Sequence, residues 1–512
     1  MHRALRIAEI LHLISSCSDP PTNAATAVVC KQWSEESLRA LWYEVPELKQ
    51  LLGLFGTLRY DGNENKFEFD SWPTHEAWLR FEKIYQRKIR HLHHIPCDEF
   101  TPFTFSRPLE LLARMKSPGP LLPNLRSLTW MGLTGEGIAE YCVMFMNDSV
   151  RTFRTASPDA DLIPHLGSFL SCIQTRMPYL TYLELYFRSH MEYQLPVLNL
   201  MQKLPYLTVV VVPAFSDMSP ILRGISEGIG SPLLSLTLFR DYEIPTAVIN
   251  LTGIQGDGLK NLTSLRLYSS YNAASQIFRD SLHLEDIRIH SYEPASAEEI
   301  RELVSRIAQT CPQVEQITLS FVRAKTEVIN RFKASPTDLV TFDDLRPLLL
   351  CTKMTWLDLD TMYPLSLDDA DMELIAKSWT HLETLHLTPV PGILVSDNRK
   401  KLSFRSLVYI ALHCVQIHTL HLYIDATFVP ENLERISGSL AHLEEFGVGF
   451  SPIEDPAQVA RALARILHPN VGITWGSTSG QWEDINVVSP DICSKWHGHW
   501  ARVFQILLLE EA

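Results

Sequence analysis

A six-residue pattern, apolar, two variable, apolar, one variable, apolar, returns at least eleven times along the 512-residue chain. It reads LPNLRSLTW at 122–130, MPYLTYLELYF at 177–187, LPYLTVVVV at 204–212, SPLLSLTLF at 231–239 and LKNLTSLRLY at 259–268. It continues as SLHLEDIRIH (281–290), CPQVEQITLS (311–320), CTKMTWLDLD (351–360), WTHLETLHLT (379–388), CVQIHTLHLY (414–423) and SLAHLEEFGVG (439–449). Weaker copies stand at 88–94 and 149–155. The central apolar residues, from Leu183, Val210 and Leu236 to Leu385, Leu420 and Phe446, are 22 to 40 residues apart. Alternation over so few residues is that of a short strand with one face buried. A single core stops growing near roughly 250 to 300 residues, a limit that an array of repeats escapes.

The gaps between strands carry helix signals. SAEEIRELVSRIAQTC opens on a capping box, Ser296 with Glu299, and then spaces Ile300, Leu303, Val304 and Ile307 along one face. DPAQVARALARIL starts with Asp455 as cap and Pro456 in the first helical position. The final WARVFQILLLEEA places Val503, Ile506, Leu507 and Leu509 on a closing helix. Strand then helix, repeated, predicts an α/β solenoid: a curved parallel sheet with helices outside. These units resemble the leucine-rich-repeat family over roughly residues 89 to 475. The cysteine-containing class is the nearest, because Cys311, Cys351 and Cys414 each stand three residues before the first apolar strand position. Those thiols are expected to pack at the helix-to-strand corner. The repeats are irregular in length and lack the family's regular asparagine.

Before the array, AVVCKQWSEESLRALWYEV at 27–45 sets Trp33 and Trp42 nine residues apart in a segment too short to bury both. Together with the apolar positions of EILHLIS, this stretch resembles the F-box, and the whole chain resembles F-box/leucine-rich-repeat proteins of the fungal type with irregular repeats. The proline usual in the first F-box segment is absent, and SDPPTNAAT replaces its leucine-containing second segment. The resemblance implies a small α-helical unit that docks onto an Skp1-type adaptor, and through it a cullin, in a ubiquitin ligase. Residues matching the docking positions are Ile7, Ile10, Leu11, Ile14, Val29, Cys30, Trp33, Leu41 and Trp42. The implied organisation is an adaptor-binding domain at 1–50, a connector with a linker helix at 51–88, and the repeat domain with its helical cap at 89–512. The alternative is a leucine-rich-repeat interaction scaffold without a ligase role, its N-terminal helices only capping the array.

Side chains flanking the strand leucines point to the concave face. There the series is rich in aromatics and arginine, the types enriched at binding hot spots. A protein substrate of unknown identity is therefore expected across Tyr186, Phe239, Arg266, Tyr268, Arg288 and Trp356. Loops folding over the face would instead bury those rings internally.

No catalytic motif appears: GxxxxGK[ST], HExxH and GxSxG are all missing. The chain reads as a non-catalytic subunit with no cofactor. His283, His381 and His442 each precede a strand leucine, so repeat register accounts for them. His91, His93 and His94 lack ligand-spaced partners and are read as surface histidines. A net charge of −14 argues against a nucleic-acid partner. No apolar run approaches the roughly 20 residues of a membrane span, and Arg6, Glu9 and His12 interrupt the opening apolar positions as no signal peptide would. Nine cysteines without a CxxC pair fit a reducing compartment, cytoplasmic or nuclear.

Overall fold

The recurring alternation becomes a parallel ladder. The structure, a computed structural model, describes residues 7–63, 66–95, 105–116, 118–131, 141–156, 166–226, 233–239, 259–280, 282–291, 295–321, 339–391, 399–430, 440–468, 470–476 and 490–510. The chain divides into two units. The first is Met1–Phe215 with Glu227–Leu233 and Phe239–Tyr242; the second is Ser216–Ser226 and Leu234–Leu238 with Glu243–Ala512.

The first unit begins with three helices, α1 (Ala8–Cys17), α2 (Pro20–Thr26) and α3 (Lys31–Leu41). The strands that follow are β1 (Glu44–Val45), the hairpin β2 (Leu58–Asp61) and β3 (Lys66–Phe69), then β4 (His91–His94), β5 (Ser127–Trp130), β6 (Thr152–Ala156), β7 (Tyr182–Tyr186) and β8 (Val209–Pro213). Apart from the hairpin they pair in parallel in chain order. The weak copies at 88–94 and 149–155 are β4 and β6. The second unit carries β9 (Ser235–Phe239, its last residue grouped with the first unit), β10 (Ser264–Tyr268), β11 (Asp286–Ser291), β12 (Gln316–Phe321), β13 (Trp356–Leu359), β14 (Thr384–Leu387), β15 (Thr419–Leu422), β16 (Glu445–Gly449) and β17 (Gly472–Trp475). These too are parallel and in sequence order. The arrangement is a solenoid of the leucine-rich-repeat type.

Register follows the central apolar residues. Leu92, Leu128, Phe153, Leu183 and Val210 lie side by side in the first unit. Leu236, Leu265, Ile287, Ile317, Leu357, Leu385, Leu420 and Phe446 do so in the second. All are buried, and a slip of one residue would turn each of them into water.

Helices return the chain between strands. Ala297–Thr310 has the Ser296–Glu299 capping box in full, and Pro456–Ile466 has Asp455 accepting from the Ala457 and Gln458 amides. Cys311, Cys351 and Cys414 each end a helix and are buried. The Cys414 thiol donates to the Trp379 carbonyl at 3.4 Å. Burial pushes the Cys311 thiol up to about 11 and those of Cys351 and Cys414 to about 12, so these corner thiols pack as small hydrophobes.

One expectation is corrected. His94 is a core residue, not a surface one, because strand alternation turns Leu92 and His94 inward. Its ring lies 4.7 Å from that of Trp130. On the closing helix Pro490–Glu510, Val503 is buried but Leu509 is 76% exposed, so the inward stripe ends before it.

Burial holds the His94 pKa down at about 4. His290 on β11 is also held at about 4, by burial first and then by Arg266. Both imidazoles are neutral in the folded protein, whereas in the unfolded chain they titrate near 6.5. Between about pH 6.5 and 4 the unfolded state therefore binds more protons. Stability is full above 6.5 and falls as pH drops through that window, by on the order of 3 kcal/mol for each histidine. Urea midpoints measured from pH 7.5 to 4.5 should fall accordingly, and His94→Phe should make the fall shallower.

Candidate functional site

The N-terminal helices are held together by polar groups. Asp19 caps α2 through the Thr22 amide at 3.0 Å, with Pro20 in the first helical position. The buried Asn23 side chain donates to the Ser15 carbonyl at 2.8 Å and the Ser18 carbonyl at 3.2 Å, closing α2 onto the end of α1. Thr26 and Ser37 share a 2.8 Å hydrogen bond between α2 and α3. Glu36, also buried, meets Arg39 at 3.1 Å and His12 at 3.4 Å. With Ser15, Asn23, Glu36 and Ser37 inside, Leu11 is the only fully buried large apolar side chain on the described residues of these helices.

The remaining apolar groups face outward. Ile7 is 46%, Leu13 63%, Val28 85% and Val29 59% exposed. Cys30 is exposed as well, while Ile10, Ile14, Trp33, Leu41 and Trp42 are half-buried. The Trp33 indole N–H is shielded from solvent and has no hydrogen-bond partner. Trp42, just after α3, lies edge-on to Tyr85 at 5.0 Å, and Glu35 pairs with Lys88, tying α3 to the end of the helical segment 75–85 and the turn that follows it. A cavity of about 820 Å³ opens between the helices and β1, walled by His12, Ser15, Asn23, Arg39, Leu41 and Trp42 among others. Sequence reasoning missed it, since its walls come from three separate segments.

The expected substrate residues fall into two groups. In the first unit Tyr186 and Phe239 lie edge to face at 4.7 Å. In the second unit Arg266 and Arg288 are register partners on β10 and β11, and Tyr268 lies opposite His290 with rings 4.8 Å apart. Trp356 on β13 is in register with Gln316, which is in register with Asp286, and it is 37% exposed. Arg266, Tyr268, Arg288 and Trp356 alternate with buried leucines or isoleucines, so these four share the open face of the second unit.

That face also holds a feature outside the expected set. His386 and His421 stack at 4.2 Å with ring planes 11° apart. His386 stands 3.7 Å from Asp358, and His421 3.1 Å from Glu445. Burial, and next the neighbouring His386, lowers the His421 pKa. Gly447 makes room for the stack: a Cβ there would sit 2.6 Å from the His421 ring. The signal was the tetrapeptide Thr-Leu-His-Leu, which occurs at both 384–387 and 419–422. Among the described residues no three His, Cys, Asp or Glu side chains converge as a metal site would require. Nor is any described helix long and apolar enough to cross a membrane.

No protein-family model matches the chain, and no curated protein matches it. Among solved structures, the chain is similar to one described as the complex of Rad7 and Elc1 in yeast. The two share 13% identity over 69% of this chain and 85% of that one, with a TM-score of 0.35. A likeness that distant carries no functional argument.

Proposed function

We propose that this chain is the substrate-recognition subunit of an Skp1-cullin-F-box ubiquitin ligase, without catalytic residues of its own. The N-terminal helices dock an Skp1-type adaptor, and the open strand face takes a protein substrate. One observation supports this above the others: the three helices spend their interior on Ser15, Asn23, Glu36 and Ser37 and leave Ile7, Leu13, Val28 and Val29 in water. Exposed apolar groups gathered on one small unit mark a surface that another polypeptide completes. The competing scaffold reading draws support from β1, which follows α3 directly and pairs with β4, as a capping unit would.

Coexpression with Skp1 separates the two. A stoichiometric complex is expected to survive gel filtration, and Trp33→Ala with Leu41→Ala is expected to weaken it by about thirtyfold or more, as for central apolar anchors. Cys30 supplies an independent readout, because the exposed thiol should react with iodoacetamide in the free chain and be protected in the complex. A chain that elutes without Skp1, its Cys30 labelled equally in the adaptor's presence, would leave the scaffold reading.

A further inference from the structure

The open face of the second unit sets two guanidinium groups side by side. Arg266 and Arg288 are direct register partners, and their flanking residues Leu265, Leu267, Ile287 and Ile289 are buried, so both arginines point to the same side. Neighbouring strands run about 4.8 Å apart, and like charges directly opposite one another destabilise a sheet. Arg288 is compensated: its Nε donates to Asp286 at 2.9 Å, and its Nη2 lies 3.4 Å from the Gln316 side-chain carbonyl. The second oxygen of Asp286 is taken by the Ser264 hydroxyl at 3.1 Å. Arg266 makes no hydrogen bond or ion pair with any described residue, although it is half-buried. Shortage of acidic residues is not the cause in a chain with 59 of them against 45 basic ones.

A guanidinium presents five donors and no acceptor, and it stays charged. Left half-buried without an anion beside a second arginine, it is an unfilled receptor for one. We infer that Arg266 and Arg288 form the anchor for an anionic side chain, carboxylate or phosphoryl, of a peptide laid across β10 and β11. This deepens the substrate half of the proposed function and rests on that reading.

The surroundings limit what fits. On the side away from β9 the positive stretch ends within two strands: Thr318 follows Arg288 in register and Asp358 follows Thr318. One anionic group is accommodated, whereas a nucleic-acid backbone needs a longer basic track. His290 beside the pair is neutral and hydrogen-bonded to Ser320 at 2.6 Å, so it adds no third charge. The exposed Trp356 ring, on the far side of β12, is placed to take an apolar residue near the acidic one. Arg288, aligned by Asp286, and the unengaged Arg266 leave charged N–H donors on both strands for the anion.

The test uses the full chain on arrays of degenerate nonapeptides whose central residue is glutamate, phosphoserine, glutamine or lysine. Retention of glutamate or phosphoserine peptides about tenfold above the other two is expected, and which of them is retained identifies the anion's source. Arg266→Gln should abolish the preference without lowering the melting temperature, since the charge removed had no partner. Thr237→Glu is the second variant: Thr237 is the register neighbour of Arg266 on β9, so its carboxylate should occupy the site and also abolish the preference. Arg461→Gln, on an exposed helix position, should leave the preference unchanged. Equal retention of all four libraries, or a preference that survives both Arg266→Gln and Thr237→Glu, overturns the inference. Skp1 co-elution is scored on the same preparations. Arg266-dependent selection without Skp1 would remove only the ligase reading, and Skp1 binding without selection would remove only this inference.

Discussion

Gly449→Ala is expected to destabilise the second unit by at least about 4 kcal/mol, beyond the range of ordinary substitutions. Gly449 ends β16 at φ +50°, and a Cβ on it would lie 1.8 Å from the Pro389 carbonyl oxygen and 2.4 Å from the carbonyl carbon. The obstacle is backbone, so no change of rotamer relieves it. That carbonyl is also held in place, accepting the Phe450 amide at 3.1 Å. The left-handed conformation itself adds about 1 kcal/mol for a residue with a side chain. A fall in melting temperature of about ten degrees follows. Gly498→Ala is the internal contrast. It lies within the closing helix with nothing within 4 Å of its Cβ position, so alanine should raise stability by about 0.5 to 1 kcal/mol. A Gly449→Ala protein melting within about two degrees of the parent would mean that the Pro389 segment yields and the close approach constrains nothing.

Trp500→Ala is the second large effect, expected at about 3 to 5 kcal/mol. The ring is fully buried, and its indole N–H donates to the Ser451 carbonyl at 2.9 Å. One turn away in the same helix, Val503 is fully buried and Phe504 packs on Trp475 of β17 at 5.6 Å. The closing helix thus shields the last strand of the array, whose apolar residues would otherwise meet water. Alanine would leave both a cavity and an unpaired carbonyl. Trp500→Phe, which keeps much of the volume but removes the N–H and part of the second ring, should cost less, about 1 to 3 kcal/mol. Guanidinium unfolding of the three proteins measures the series, and equal midpoints for Trp500→Ala and the parent would show that the helix seals nothing.

The repeat was legible because it is local. Each unit states its own alternation, and residues such as Leu265, Ile287 and Ile317, picked out as centres from spacing, are register partners in the sheet. The corner cysteines and the Ser296 and Asp455 caps were legible for the same reason: each depends on groups a few residues away. The candidate site was legible only in part. Strand alternation placed Arg266, Tyr268, Arg288 and Trp356 on one face, and Asp286 stands only two residues from Arg288, but the sequence did not show that Asp286 would turn to Arg288 and not to Arg266 on the neighbouring strand. Trp33, Leu41 and Trp42 drew attention as oversized apolar groups, yet among the described residues of the three N-terminal helices and their connections the most exposed apolar ones are Val28, Leu13 and Val29.

From sequence alone came the strand-and-helix repeat, the inward line of leucines and the choice of which side chains leave the sheet, because a period of two needs only neighbouring residues to be read. The tertiary structure alone decided how far each of those side chains is buried and what it meets. His94 lies inward against Trp130, His386 stacks on His421 across 35 positions of chain, and Gly449 passes beneath the Pro389 carbonyl. The repeat brings His94 beside Trp130 and His386 beside His421 as register partners, but how far the rings are buried, how closely they stack and which carbonyl crosses Gly449 depend on groups from distant segments, and no periodicity in the chain records that.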